Sequence, residues 1–171
     1  IRRPEPEALE RRLDACAGTA GGRILRLAWL QGLTREEISR LTWAQVDLPA
    51  AQLTLPDRTI PLHPEMPAYL ARQAGHASPY VVPSPRGGGP MPPESISRLA
   101  RQALNSAGMQ QVRLGDLRHD YILRQMEHHD WPYVVRVSGI SVSTLQARYA
   151  RTPQPESPSL NPGPPREAEI D

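Results

Sequence analysis

Gly32 constrains this chain more than any other residue, because it separates two stretches that each read as helix and leaves almost nothing between them. Before it, "RILRLAWLQ" places Ile24, Leu25, Leu27, Ala28 and Leu30 at helical spacing. After it, "TREEISRLTWAQV" starts again at once, with Ile38, Leu41 and Val46 on an apolar face. A glycine just past a periodic segment is a helix stop. Thr34 and Glu37 have the T-x-x-E spacing of a capping box, in which the hydroxyl accepts from the third helical amide and the carboxylate accepts from the cap amide. The chain must therefore turn a corner at 32–34.

Similar punctuation organises the rest. A first helix is expected over 6–16, ending at "GTAGG". In "AQLTLPDRTIPLH", Leu53, Leu55, Ile60 and Leu62 alternate around Pro56-Asp57, the pattern of a short β-hairpin. A helix across "PEMPAYLARQA", a brief strand at "YVVPS" and a turn at "PRGGGP" follow. Over 95–107 a helix carries Ile96, Leu99, Ala103 and Leu104 inward. "RLGDLRHDYILRQ", "DWPYVVRVSG" and "SVSTLQARYA" supply three more helices. The expected class is mainly α with one small antiparallel sheet, and the body is assigned to residues 1–151. "RTPQPESPSLNPGPPREAEID" holds six prolines and almost no large apolar side chains, so 152–171 are expected to be a Pro-rich, disordered tail.

The charge is unevenly placed. The net value is only +2, yet residues 98–151 hold eight Arg against four acids, and 152–171 hold one Arg against four. This basic bias of the body is compatible with a nucleic-acid partner. All 20 basic residues are Arg, and there is no lysine. The one cysteine, Cys16, has no internal disulfide partner, which fits a reducing cytoplasm. No apolar run approaches the length of a membrane span, and "IRRPEPEALERR" has no apolar core of a secretory signal. A chain beginning with Ile is expected to be cut from a longer one.

Several chemical readings fall away. In "EHHD" (Glu127 to Asp130) adjacent histidines on a helix point in different directions and lack partners at ligand spacing, so no metal is expected. "RGGGP" lacks the Lys-Ser/Thr of a phosphate-binding P-loop. Ser138, Ser141 and Ser143 have no His-Asp arrangement beside them, and no cofactor is implied. What remains is "RLGDLRHDYILRQ". Leu117, Tyr121 and Ile122 share an apolar face, while Arg118 and His119, both suited to an anion, lie in the first turn.

Three segments in order, "GLTREEISRLTWAQVDL", "PYVVPSPRGGGPMPPESISRLARQALNSAG" and "VRLGDLRHDYILRQ…VSGISVSTLQARY", resemble the catalytic domain of tyrosine recombinases, the phage-integrase family. Glu37-Ile38, Leu41, Trp43 and Val46-Asp47 match one family run, and Asp116-Leu117-Arg118-His119 matches its D-L-R-H core. The resemblance covers roughly residues 20–150. It implies a fold that cleaves DNA through a tyrosine, leaving a 3′-phosphotyrosine. Two arginines neutralise the phosphorane, while His, Lys and a His or Trp assist proton transfer. Removing one such donor costs ~100-fold or more in rate.

Carried over residue by residue, the chemistry is largely substituted. The first arginine column is Thr34, with Arg35 next to it; one helical step turns a side chain about 100° away. The hairpin lysine is absent, and the cation there is Arg58, beside Asp57 and a poor general acid. Gly115 stands for the histidine before Leu-Arg-His, and Gly139 for the later one. The nucleophile column falls on Arg148, with Tyr149 one residue late. Arg118 and Tyr149 are thus the candidate catalytic residues, and Arg35, Arg58, Arg118, His119 and Arg148 the candidate DNA contacts.

The resemblance implies a DNA-binding protein impaired in strand cleavage, with a regulatory or accessory role in recombination or integration, as a repressor, a partner of an active enzyme or a relic of a mobile element. Its implied partners are double-stranded DNA and either a second copy or a related active recombinase, in the cytoplasm and on the nucleoid when DNA-bound. The alternatives are an active divergent recombinase using Tyr149, and an interaction module that has lost DNA. The family also implies an N-terminal DNA-clamping domain in the full protein, expected to lie outside the stretch that carries the resemblance.

Overall fold

The computed structural model describes residues 2–75 and 77–149, so the tail expected from 152 lies outside the described residues. The class read from the sequence is the class observed. The helices are α1 (Pro6–Ala15), α2 (Ala20–Gln31), α3 (Arg35–Arg40), α4 (Met66–Gln73), α5 (Pro93–Ser106), α6 (Leu114–His128), α7 (Trp131–Ser138) and α8 (Val142–Tyr149). The strands β1 (Val46–Asp47), β2 (Gln52–Leu55) and β3 (Arg58–Pro61) form one antiparallel sheet in sequence order. The described residues divide into two compact units, with the boundary between Tyr121 and Ile122.

In the first unit α2 is the central helix. Every residue from Ile24 to Gln31 is buried, the pattern of a helix enclosed on all sides. It packs on α5 and on α3. The corner after it forms as its sequence requires. Gly32 adopts φ +70°, and its N–H donates to the Ala28 carbonyl at 3.1 Å. A Cβ at Gly32 would lie 2.2 Å from Cδ2 of Tyr121, so both the dihedral and the space demand glycine. Thr34 then caps α3: its Oγ1 accepts from Glu37 N–H at 3.2 Å, and its own N–H donates to Glu37 Oε1 at 3.0 Å.

Two expectations change here. The helix expected to run through to Val46 stops at Arg40, because Leu41 turns extended at φ −66°, ψ 128°. Thr42 then donates its N–H to Gln45 Oε1 at 2.8 Å, opening a separate 3₁₀ turn, Trp43–Gln45, and Val46 enters β1. "YVVPS" forms no strand. It is held by an isolated bridge from Tyr80 to Thr42 and by Val81 N–H on the Leu41 carbonyl at 3.0 Å. Val81 and Val82 are both buried.

The hairpin has the expected register, Leu53 opposite Ile60 and Leu55 opposite Arg58. Those four residues share its buried face. In α5, Ile96, Ala100, Ala103 and Leu104 are buried, while Leu99 is half-buried. In the second unit Ile122, Met126, Val134, Val137 and Leu145 are buried. Asp130 Oδ1 caps α7 by accepting from Tyr133 N–H at 3.1 Å, and Gly139 closes that helix at φ +73°. Among the described residues no helix is long and apolar enough to cross a membrane.

Candidate nucleic-acid interface

The first turn of α6 meets the corner between α2 and α3. Asp116 Oδ2 accepts the Arg113 N–H at 2.9 Å and so holds the start of α6. Arg118, one turn in, donates from Nη1 to the Gly32 carbonyl at 2.6 Å. Three residues later, the Tyr121 ring lies over the Cα of the same glycine. Residues three apart share a helix face, so α6 grips Gly32 at its carbonyl and covers it at once.

Beside this contact is an open hollow of about 210 Å³, lined by Thr34, Arg35, Glu36, Ser97, Gly115 and Arg118. The columns that the resemblance assigns to Arg, His and Arg are Thr34, Gly115 and Arg118. They converge here, and the first two carry no charge. A Cβ at Gly115 would meet nothing within 4 Å, so the hollow is open on that side.

Arg35 lines the same hollow, in contrast to the expectation that one helical step turns it away. Thr34 is the cap, extended at φ −79°, ψ 164°, so helical rotation starts only at Arg35. Its Nη1 donates to Ser97 Oγ at 3.2 Å and its Nε to Glu36 Oε2 at 3.1 Å. Glu36 and Ser97 were not singled out in the sequence. Glu36 is exposed beside Arg35 in the capping segment, and Ser97 lies on the polar side of α5.

Arg58 takes another place. Its side chain is 4% exposed; Nη1 donates to Glu37 Oε2 at 2.7 Å and Nη2 to Glu37 Oε1 at 3.1 Å, while Asp57 Oδ1 accepts at 3.0 Å. This fork-on-carboxylate pair is the strong geometry for an arginine. Burial alone would raise the Glu37 carboxyl, but the Arg58 hydrogen bond, the Thr34 N–H and the charges of Arg58 and Arg118 bring it below the ordinary carboxylate value. Burial likewise works against the Arg58 charge, and Glu37 and Asp57 more than offset it.

His119, the neighbour of Arg118, is half-buried. In the second unit Arg148 is exposed near the end of α8, whereas Tyr149 is only 2% exposed. Among the described residues no group of three or more His, Cys, Asp or Glu side chains is placed to hold a metal ion.

The fold that builds this corner is that of the tyrosine recombinase catalytic domain. The chain is similar to the crystal structure of XerA recombinase, with a TM-score of 0.75 and 20% identity over 85% of this chain and 59% of that one. It is also similar to the integrase from mycobacterium phage Brujita, with a TM-score of 0.66 and 23% identity over 88% of this chain and 54% of that one. The Tn1549 transposon integrase in complex with circular intermediate DNA gives a TM-score of 0.74 and 13% identity over 89% of this chain and 62% of that one. The chain thus spans between about half and three fifths of those chains. No protein-family model matches the sequence, and no curated protein does.

Proposed function

We propose that this domain binds the backbone of double-stranded DNA through the hollow at the α2–α3 corner and does not cleave it, acting as a regulatory or accessory component of recombination or integration. One observation carries the reading: Arg118 and Arg35 line one hollow in which Thr34 and Gly115 occupy the columns of a second cation and a proton donor. Two guanidinium groups suit a phosphodiester, through charge-assisted and bidentate hydrogen bonds. The DNA in the Tn1549 integrase complex supports the choice of partner. His119 is assigned to a flanking contact and Arg148, in the second unit, to a backbone contact of its own, whereas Arg58, engaged by Glu37 and Asp57, holds the hairpin to α3.

Cleavage requires more than grip. The phosphorane gathers negative charge that donors already in place must meet, and the leaving oxygen needs a proton. Thr34 and Gly115 supply no such proton, arginine keeps its own, and the chain has no lysine; the second cation of the hollow, Arg35, is held by Glu36 and Ser97. Tyr149, at 2% exposed, is not presented as a nucleophile.

The test is a nicked duplex incubated with the protein, then run on native and denaturing gels. Retention on the native gel that weakens steeply with salt, with no DNA attached after denaturation, is the expected result. The second reading, an active divergent recombinase, draws on Arg35 standing in the hollow beside Arg118. It requires a covalent adduct that disappears in Tyr149→Phe, and such an adduct would replace the proposal. Binding indifferent to salt would remove the phosphate basis of both.

A further inference from the structure

Glu36 is a negative charge inside the hollow that the proposed function assigns to phosphate, and the reading of DNA backbone contact gives it no use. Its carboxylate holds Arg35 through Nε at 3.1 Å. The pair is exposed on both sides, with the Arg35 side chain at 42% and Glu36 at 52%. Glu36 also lines a second depression of about 310 Å³, which contains Glu37, Arg40 and Asp57. Glu36 therefore stands on the ridge between a cationic hollow and an acidic groove.

Arg40, in the groove, lies four residues after Glu36 on α3 and is exposed. Among the described residues it has no ion-pair partner. A glutamate four residues before a cation is the favoured arrangement for a helical pair. Two alternative partners for the one carboxylate thus lie on the two sides of the ridge.

We infer that Glu36 is a charge gate on the phosphate site. With Glu36 on Arg35 the hollow is occupied by its own counter-ion. When a DNA phosphodiester enters, its oxygens replace Glu36 on Arg35, and the carboxylate turns to Arg40. The gate lowers affinity for any backbone phosphate that does not seat fully in the hollow, so it favours well-docked duplex over passing contact. This rests on the reading of the hollow as a DNA site. No covalent bond changes, and no other ion is required.

The test uses the whole chain and a fluorescein-labelled duplex of mixed sequence, with binding followed by anisotropy over a series of salt concentrations. Glu36→Gln is expected to tighten binding about two- to fivefold at low salt, the scale of one exposed charge pair. Glu10→Gln, the same change of net charge at an exposed position on α1, is expected to do so by less than about twofold. The role of Arg40 is read from a double-mutant cycle. Arg40→Gln weakens binding in the parent, and the gate requires that loss to shrink in the Glu36→Gln background. Equal tightening by the two Glu variants overturns the gate while leaving the DNA reading in place. An Arg40→Gln loss that is the same in both backgrounds makes Arg40 a direct DNA contact and overturns the alternative-partner step. If neither the parent nor Glu36→Gln binds the duplex at low salt, the DNA reading itself fails and the gate goes with it.

Discussion

Two neighbouring carboxylates on α3 each hold an arginine, and their surroundings give them opposite roles. Glu37 grips Arg58 through both oxygens, in a pair with the guanidinium 4% exposed, and also receives the Thr34 amide. Glu36 meets Arg35 through one oxygen, with both side chains in water. The first pair joins hairpin to helix and cannot be opened without stranding a buried charge. The second can exchange partners, because water and ions stand ready on either side. One step along a helix thus separates a piece of the scaffold from a piece of the proposed binding surface.

The largest effect that would sharpen this contrast is expected from Arg58→Met. Removing Arg58 leaves the half-buried Glu37 with only the Thr34 N–H and the Arg118 charge, at a cost of up to about 3 kcal/mol. A urea unfolding midpoint shifted far below the parent is the expected readout, and an unchanged midpoint would show that the buried pair is as dispensable as the exposed one.

The next effect depends on pH. The Glu37 carboxyl titrates below its ordinary value of 4.5 in the folded chain, so its contribution is fully present above that value. That contribution is lost as pH falls from 4.5 through the lowered folded value, since the unfolded chain then binds the proton first. Glu37→Gln should be less stable at neutral pH and should remove this part of the acid slope in a pH series of melting curves. A slope that survives in Glu37→Gln belongs to other carboxylates.

Gly115→Ala should act the other way. The site has open space around a new Cβ and lies in the first turn of α6, so the substitution should stabilise by about 0.5–1 kcal/mol through the unfolded chain. Differential scanning calorimetry should record a rise of a few degrees, and a fall would mean that the first turn of α6 needs glycine for a reason beyond space. Smallest of all, Glu36→Gln should move stability by no more than about 0.5 kcal/mol. Equal losses from Glu36→Gln and Glu37→Gln would erase the distinction between the two pairs.

Much of this was legible in the sequence, and the misreadings have particular causes. The corner at Gly32 and the Thr34–Glu37 box could be read directly, because stop and cap signals are local. Arg35 was misplaced because the helical rotation rule was applied across a cap, a residue that is not itself helical. The end of α3 at Arg40 was missed although T-x-x-Q at Thr42–Gln45 repeats the spacing of the first box. Arg58 carried a readable signal too. It lies two residues from Ile60, and in a strand that places both on the buried face. "YVV" misled because β-branched residues suit a strand, yet this segment meets Thr42 through a single bridge and Leu41 through one N–H, too little pairing for a strand. Nothing in the sequence could place Ser97 against Arg35, 62 residues away.

The bond from Arg118 to the Gly32 carbonyl has a consequence for how the hollow would meet the ligand proposed for it. A free arginine side chain samples many rotamers, and stopping that motion takes about 2 kcal/mol of entropy. Here the guanidinium is tied to the backbone at a helix end while the chain folds, so most of that motion stops before any ligand arrives. In the proposed function, a phosphate would then meet a guanidinium already ordered, and the ordering penalty would appear in folding stability instead of in the dissociation constant.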